Sequence, residues 1–223
     1  MDLARLDPEM PYLADVTPSM LAAMGVVGVD RRIPLPGNVT GACVLLIDGL
    51  GAELLDAHAA DAPVMAALRN QTLQVGFPST TVAGLAAVGT GCRSGVHGFV
   101  GLSFRLPGAG LPGAGLINAL RWRPHPWGDD LRVDVRPEDV QPLPTTFERA
   151  AAAGVSVSVV SGAEFAGSGL SRAVLRGGDY IGVLALGDLA ARVGEAVADG
   201  GFCYGYHSEL DLVGHLYGPG SMA

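Results

Sequence analysis

The stretch FPSTTVAGLAAVGTG, residues 77–91, is the part of the chain that says most about its architecture. Residues 73–76 are predicted as a strand, a turn with Pro78 and three hydroxyl residues follows, and small residues predict a helix over 82–89. Unpaired backbone N–H groups and the positive end of the helix dipole let a phosphate group bind at such a turn. Serine and threonine are also ordinary N-cap residues, so the turn alone leaves both interpretations open.

Short apolar runs alternate with helical segments along most of the chain. Strands are predicted over 42–48, 155–161 and 201–206, and helices over 19–24, 50–60, 62–69, 146–153 and 184–198. Strands that alternate with helices predict an α/β fold, with three α/β/α layers around a mostly parallel sheet. In such sheets ligands collect at the carboxyl ends of strands, and Asp48, Thr81 and Asp211 all follow predicted strands.

Two regions fall outside this alternation. Residues 1–40 are predicted as an N-terminal arm with one short helix. Residues 101–144 are rich in Pro and Gly, and we predict a cap-like excursion with short antiparallel strands at 100–106 and 115–122. Long irregular segments are often functional, so this excursion is either a covering loop or a wall of the substrate pocket.

Composition narrows the functional classes. Hydrophobic residues make up 49% of the 223 residues, and the net charge is −8, so we expect a sizeable core and no basic face for nucleic acid. The N-terminal sequence has no apolar signal segment and no apolar run approaches a membrane span, so we expect a cytoplasmic protein without membrane contact. Cys43, Cys92 and Cys203 are far apart in sequence, which favours buried thiols over a disulfide framework or a thiolate zinc site.

A carboxylate ends the first predicted strand. Residues 42–51 read ACVLLIDGLG, so Asp48 stands between an apolar run and two glycines. A carboxylate at the end of a buried strand is costly unless it is paired or bound to metal, which favours a metal ligand; the alternative is a cap of the next helix. A dinucleotide-binding fingerprint is excluded, because Leu54 occupies the position of its third glycine.

A third segment, YHSELDLVGHLYGPG at residues 206–220, places Asp211 and His215 four positions apart. This spacing brings both side chains to one face if the segment is helical. A carboxylate oxygen with an imidazole nitrogen is ordinary zinc chemistry; the alternative is a surface aspartate beside a capping histidine. Glu209 either supports such a site or lies on the plain surface.

These segments together resemble the nucleotide pyrophosphatase/phosphodiesterase family of the alkaline phosphatase superfamily, and its bacterial members most closely. The matching residues extend from about residue 42 to the end of the chain and are Asp48 in IDGLG, Pro78-Ser79-Thr80-Thr81, Thr90-Gly91, His97-Gly98-Phe99-Val100-Gly101, Glu209, Asp211, His215 and Gly218-Pro219. Each motif is weak alone, but their order and spacing together are specific. The resemblance implies an alkaline-phosphatase-like fold and a catalytic α/β domain over residues 1–223.

The resemblance also implies a reaction and its residues. Thr81, in the pattern Pro-x-x-Thr, would be the nucleophile that forms a phosphothreonine intermediate, with Thr80 as the second candidate. Two divalent metal ions, zinc in the family, would be held by Asp48 with Thr81 and by Asp211 with His215. The implied partner is a small phosphodiester or nucleotide substrate, and the implied activity is a phosphodiesterase or nucleotide pyrophosphatase. A phosphomonoesterase or phosphomutase of the same superfamily would share these metals.

The chain departs from the family pattern in two places. Family members often carry an asparagine after His-Gly-x-x-Gly that binds the phosphoryl oxygen; Leu102 stands there, and Asn118 is the candidate that would replace it. The family continues with an Asp-His-Gly motif and a later metal-binding histidine, and neither is in this sequence. We therefore expect the N-terminal part of a catalytic domain, with its C-terminal part missing and an inactive half-domain as the alternative.

Two further interpretations follow from the match. His97 is expected to be a structural turn histidine and not a ligand. The sulfatase branch of the superfamily requires Cys-x-Pro-Ser-Arg, and residues 92–95 read CRSG, so a sulfatase is excluded.

Overall fold

The computed structural model describes residues 7–106, 115–198 and 200–221. Its strands are β1 (Gly41–Ile47), β2 (Ser103–Arg105), β3 (Leu116–Asn118), β4 (Arg123–Pro124), β5 (Val157–Gly162), β6 (Asp179–Val183) and β7 (Gly201–His207). Its α-helices are α1 (Val16–Ala23), α2 (Ala52–Ala57), α3 (Pro63–Leu68), α4 (Thr81–Thr90), α5 (Ser94–His97), α6 (Pro137–Val140), α7 (Thr146–Ala152), α8 (Gly169–Val174), α9 (Leu186–Ala198) and α10 (Glu209–Tyr217).

The central sheet contains four strands in the order β1-β7-β5-β6, and all of its pairings are parallel. Because the strands run in the same direction, the carboxyl ends of β1 and β7 lie at the same end of the sheet. The backbone N–H of Asp48 donates to the carbonyl of His207 at 2.9 Å, so this pairing continues one residue past β1. The segments that follow β1 and β7 are therefore neighbours.

Side chains alternate between the two faces of the sheet, and each face has its own core. One face packs against α1 and α7, helix α4 packs on both of these helices, and α8 packs on α4; the buried residues of this core include Val44, Phe147 and Phe202. Helix α9 covers the other face, where Val160, Leu189 and Cys203 are buried. The predicted three-layer α/β/α arrangement around a mostly parallel sheet is confirmed.

The residues at the two ends of α4 explain its position. Thr80 is extended, and its Oγ1 accepts a hydrogen bond from the N–H of Ala83 at 3.4 Å, which makes it the N-cap. Gly91 follows the helix in the left-handed conformation that glycine tolerates. A Cβ atom on Gly89 would overlap the carbonyl oxygen of Val174 in α8. The small residues of this helix therefore allow close packing, which fixes the turn at 78–81 against the core.

A separate antiparallel sheet, in the order β2-β3-β4, lies within the region 101–144. Trp122 is fully buried there, donates from Nε1 to the carbonyl of Val135 at 2.7 Å and packs against Phe99. This tryptophan attaches the small sheet to the core. Residues 107–114 of the expected excursion lie outside the described part, and its role as a cap stays a prediction.

The strand predicted over 73–76 is wrong. Gln74 forms a single parallel bridge with Tyr12, and its backbone exchanges hydrogen bonds with the carbonyl of Pro11 and the N–H of Leu13 at 3.0 and 2.8 Å. Val75 is 46% exposed. The segment therefore pairs briefly with the N-terminal region and does not join a sheet. Residues 1–6 of the expected N-terminal arm lie outside the described part.

None of the helices in the described ranges is long and apolar enough to cross a membrane. The cytoplasmic location expected from the sequence stays a prediction.

Candidate active site

Asp48, at the carboxyl end of β1, accepts hydrogen bonds at both carboxylate oxygens. Thr81 Oγ1 donates to Oδ2 at 3.0 Å, and Tyr206 Oη donates to the same oxygen at 2.6 Å. Oδ1 accepts from the N–H of Gly49 at 3.1 Å. These bonds satisfy a half-buried carboxylate that would otherwise be costly. They also place Asp48 and Thr81, 33 positions apart in sequence, in direct contact.

The two threonines of the turn have different partners. The oxygen of Thr80 caps α4, whereas the hydroxyl of Thr81, the first residue of α4, is directed at Asp48. The N–H groups in the first turn of a helix lack intrahelical partners and lie at the positive end of its dipole. Thr81 therefore stands where an anion can be bound beside a hydroxyl that a carboxylate orients.

Asp211 and His215 lie one turn apart on α10, and His215 Nε2 is 3.6 Å from Asp211 Oδ2. The helical geometry that their spacing needs is present. The side chain of His215 is 78% exposed and that of Asp211 35% exposed, so the pair is open to a ligand. Glu209 is mostly exposed, 3.9 Å from Nε2 of His207.

Gly49 connects the two pairs. It follows Asp48 directly, and its Cα packs against the backbone of Asp211. A cavity of about 320 Å³ opens at this contact. Among the residues that line it are Gly49, Asp211, His215, Gly218 and Pro219. The glycine-proline turn of the third motif therefore borders the same cavity as Asp211 and His215.

Asn118 lies at the end of β3, and its Oδ1 accepts a hydrogen bond from the N–H of Arg121 at 3.1 Å. The next residue, Ala119, donates to the carbonyl of Leu102 at 2.9 Å. The residue before Leu102 is Gly101, where a Cβ atom would lie 3.8 Å from Pro78. The residue next to Asn118 therefore pairs with a segment that touches the turn, but the side chain of Asn118 itself contacts Arg121. Its role in substrate binding stays a prediction.

Tyr206 is the site contact that sequence reasoning missed. Its side chain is buried, and burial together with the hydrogen bond to Asp48 raises the pKa of Tyr206, so the phenol remains a donor at neutral pH. The available signal was a tyrosine at the carboxyl end of an apolar strand, because a buried phenol usually needs a hydrogen-bond partner.

The side-chain atoms of the two pairs are of the types that bind divalent metal ions. Asp48 with Thr81 offers oxygen atoms, and Asp211 with His215 offers an oxygen and an imidazole nitrogen. Across residues 7–106, 115–198 and 200–221, no group of three or more His, Cys, Asp or Glu side chains could hold a metal ion. Each pair is therefore a partial set, compared with the three or four protein ligands of zinc sites.

The family model of type I phosphodiesterase / nucleotide pyrophosphatase matches residues 42–223, which is most of the chain. Comparisons with curated proteins and with solved structures gave no match. The matched range contains Asp48, the turn at 78–81 and α10, which carry the candidate site residues. The three-layer architecture is consistent with an alkaline-phosphatase-like fold. The chain therefore belongs to the type I phosphodiesterase/nucleotide pyrophosphatase family.

Proposed function

We propose that this chain is a metal-dependent hydrolase of small phosphodiesters or nucleotide pyrophosphate bonds, with Thr81 as its nucleophile. The observation that carries the proposal is the 3.0 Å hydrogen bond from Thr81 Oγ1 to Asp48 Oδ2 at the N-terminus of α4. A hydroxyl needs a neighbouring group that activates it, and a helix N-terminus binds the phosphoryl group beside it. Membership of the family supplies the reaction class.

The charges of the site support a requirement for cations. Asp48 and Asp211 are both carboxylates, and the chain has a net charge of −8, so an anionic phosphodiester would be repelled. Divalent ions held by Asp48 with Thr81 and by Asp211 with His215 would supply the positive charge that attracts phosphate and stabilises a threonine alkoxide. We propose zinc, because carboxylate oxygen and imidazole nitrogen are its ordinary ligands.

Thr81 would carry out the covalent step. Its O–H points at Asp48 Oδ2, so the free lone pairs of Oγ1 point away from the carboxylate. A bond forms between Oγ1 and phosphorus while the bond from phosphorus to the leaving oxygen breaks, and Asp48 Oδ2 is within reach of the hydroxyl proton. The intermediate is a threonine phosphodiester that keeps the second ester group of the substrate; water then breaks the bond between Oγ1 and phosphorus, which restores the hydroxyl and releases a phosphomonoester. The N–H groups at the start of α4 stabilise the phosphoryl oxygens.

The cavity beside Asp211 and His215 favours a small substrate. Its volume of about 320 Å³ is at the lower end of the volumes that hold small molecules. The negative charge of the chain gives no basic face for a long nucleic acid. We therefore propose a small phosphodiester or a nucleotide as substrate.

The test is hydrolysis of bis(p-nitrophenyl) phosphate in the presence of zinc. We expect Thr81→Ala to abolish turnover, and Thr80→Ala, which removes only the N-cap, to retain it. Mass spectrometry of acid-quenched protein should find a p-nitrophenyl phosphoryl group on the peptide that contains Thr81, because the attack displaces only one of the two nitrophenolates. Absence of turnover in the wild type would favour the inactive half-domain, and preference for p-nitrophenyl phosphate would favour a phosphomonoesterase. Near wild-type turnover in Thr81→Ala would show that another residue is the nucleophile, and Thr80 would be the first candidate.

A further inference from the structure

Tyr206 reaches Asp48 from the neighbouring strand. In the parallel register Tyr206 lies opposite Leu46, and Asp48 is two positions further along on the same face. The phenol is 7% exposed, and its ring packs edge-on against Phe165. Its O–H donates to Asp48 Oδ2 at 2.6 Å, a length typical of a hydrogen bond from a hydroxyl to a charged carboxylate.

The same carboxylate oxygen therefore serves both Tyr206 and Thr81. Oδ2 accepts from Thr81 at 3.0 Å and from Tyr206 at 2.6 Å, while Oδ1 accepts from the N–H of Gly49. When the hydroxyl of Thr81 turns to phosphorus, it releases one of these bonds. The phenol of Tyr206 and the N–H of Gly49 still hold the carboxylate in its orientation.

We propose that Tyr206 is a positioning residue, which fixes the carboxylate of Asp48 for Thr81 and for the cation that Asp48 would hold. This role rests on the proposed function, since it gives Asp48 and Thr81 their parts in the reaction. Groups that orient a metal-binding or catalytic carboxylate typically change activity or metal affinity 10- to 100-fold when they are removed.

Tyr204 offers a matched comparison on the same strand. It lies two positions before Tyr206, so both side chains point to the same face of the sheet. Tyr204 is fully buried against Phe147, and its hydroxyl has no hydrogen-bond partner among the described residues. Tyr204→Phe therefore removes a buried phenol oxygen without removing a contact to Asp48, whereas Tyr206→Phe removes the same atom together with that contact.

The experiment compares Tyr206→Phe and Tyr204→Phe in the whole chain. We expect Tyr206→Phe to lower kcat on bis(p-nitrophenyl) phosphate about 10- to 100-fold with KM within about twofold, and to weaken zinc binding in a calorimetric titration about tenfold. Tyr204→Phe should leave kcat, KM and zinc affinity within about twofold of wild type. In proton NMR, the downfield hydroxyl resonance of Tyr206 should be lost in Tyr206→Phe and in Asp48→Asn, and kept in Tyr204→Phe.

The outcomes separate this inference from the proposed function. Absence of turnover in the wild-type protein, or full turnover in Thr81→Ala, contradicts the proposed function. In either case, the zinc titration and the NMR resonance still decide whether Tyr206 orients Asp48. Similar effects of the two phenylalanine substitutions would show a purely structural role and overturn the inference. So would wild-type kcat and zinc affinity in Tyr206→Phe, provided that thermal unfolding shows both variants folded.

Discussion

Gly49 leaves no space for a side chain beside Asp211. A Cβ atom built on Gly49 would lie 2.8 Å from the Cα atom of Asp211 and 3.1 Å from its Cβ atom. Gly49 also has a φ of +80°, which residues with a side chain rarely adopt. The contact sets the distance between the end of β1 and the start of α10, so it sets how the Asp48 and Asp211 carboxylates are spaced.

Gly49→Ala should therefore disturb both stability and the site. The left-handed backbone and the overlap with Asp211 each destabilise the folded alanine variant. We therefore expect its free energy of unfolding to be lower by about 1–3 kcal/mol. We also expect turnover to fall, because α10 must move away from β1. Urea unfolding and phosphodiester hydrolysis measure the two effects. Gly51→Ala is the control, because its Cβ atom meets nothing within 4 Å and its φ is −94°; equal losses in both variants would contradict the argument.

Thr80→Ala should reduce stability with little effect on chemistry. Its Oγ1 caps α4 through the N–H of Ala83, and loss of an N-cap typically costs about 1 kcal/mol. We expect kcat within a few-fold of wild type, because the hydroxyl that contacts Asp48 belongs to Thr81. Thr81→Ala should give the opposite result, with small change in stability and no turnover. Denaturation curves and kinetics on the same preparations check both, and loss of turnover in Thr80→Ala alone would reverse the two roles.

The fold was predictable where local patterns agree with tertiary packing. Strands β1 and β7 and helices α4, α7 and α9 lie close to their predicted positions, because apolar runs and glycine or threonine boundaries mark them. Strand β6 and helix α8 were missed, since only the last residue of β6 is buried and α8 is one short segment among glycines and serines. The segment 73–76 was overpredicted because its apolar residues reveal nothing about the partner that its backbone will find.

The candidate site was predictable in part. The order and spacing of the motifs identified Asp48, Thr81, Asp211 and His215 as candidates. In the structure Asp48 contacts Thr81, Asp211 lies beside His215, and Gly49 joins the two pairs. The contact of Tyr206 with Asp48 depends on the register of β7 against β1, which the sequence does not encode locally. The same holds for Cys43 and Cys203, which are far apart in sequence but lie opposite each other in that register.

His97 should make stability depend on acid pH. It is buried, its Nδ1 accepts from the N–H of Phe99 at 3.1 Å, and burial lowers the pKa of His97 from 6.5 to about 4. Between about pH 6.5 and pH 4 the unfolded chain binds a proton that the folded chain does not, so the free energy of unfolding falls as the pH falls. The pKa change corresponds to about 3 kcal/mol, fully lost near pH 4.

His97→Asn tests this linkage, because asparagine keeps an acceptor for Phe99 but does not titrate. The variant should be less stable at pH 7, since it packs less volume, yet lose less of its stability than wild type on going to pH 4.5. Urea unfolding at the two pH values gives the comparison. The same loss in both proteins would mean that His97 does not carry this part of the acid sensitivity.

The chain of 223 residues should bind zinc weakly. Complete structural zinc sites bind with about 10–16 kcal/mol and use three or four protein ligands, whereas the described residues contain no group of three or more candidate side chains. Asp211 and His215 face each other with 3.6 Å between Oδ2 and Nε2, so we expect them to provide the stronger part of this weak binding. Calorimetric titration with zinc should show a further loss of about tenfold or more in His215→Ala, and no change in His125→Ala, whose histidine lies near Ser103 in the small sheet. Two tightly bound zinc ions per chain would contradict this prediction and place the remaining ligands on residues outside the two pairs or on a partner subunit.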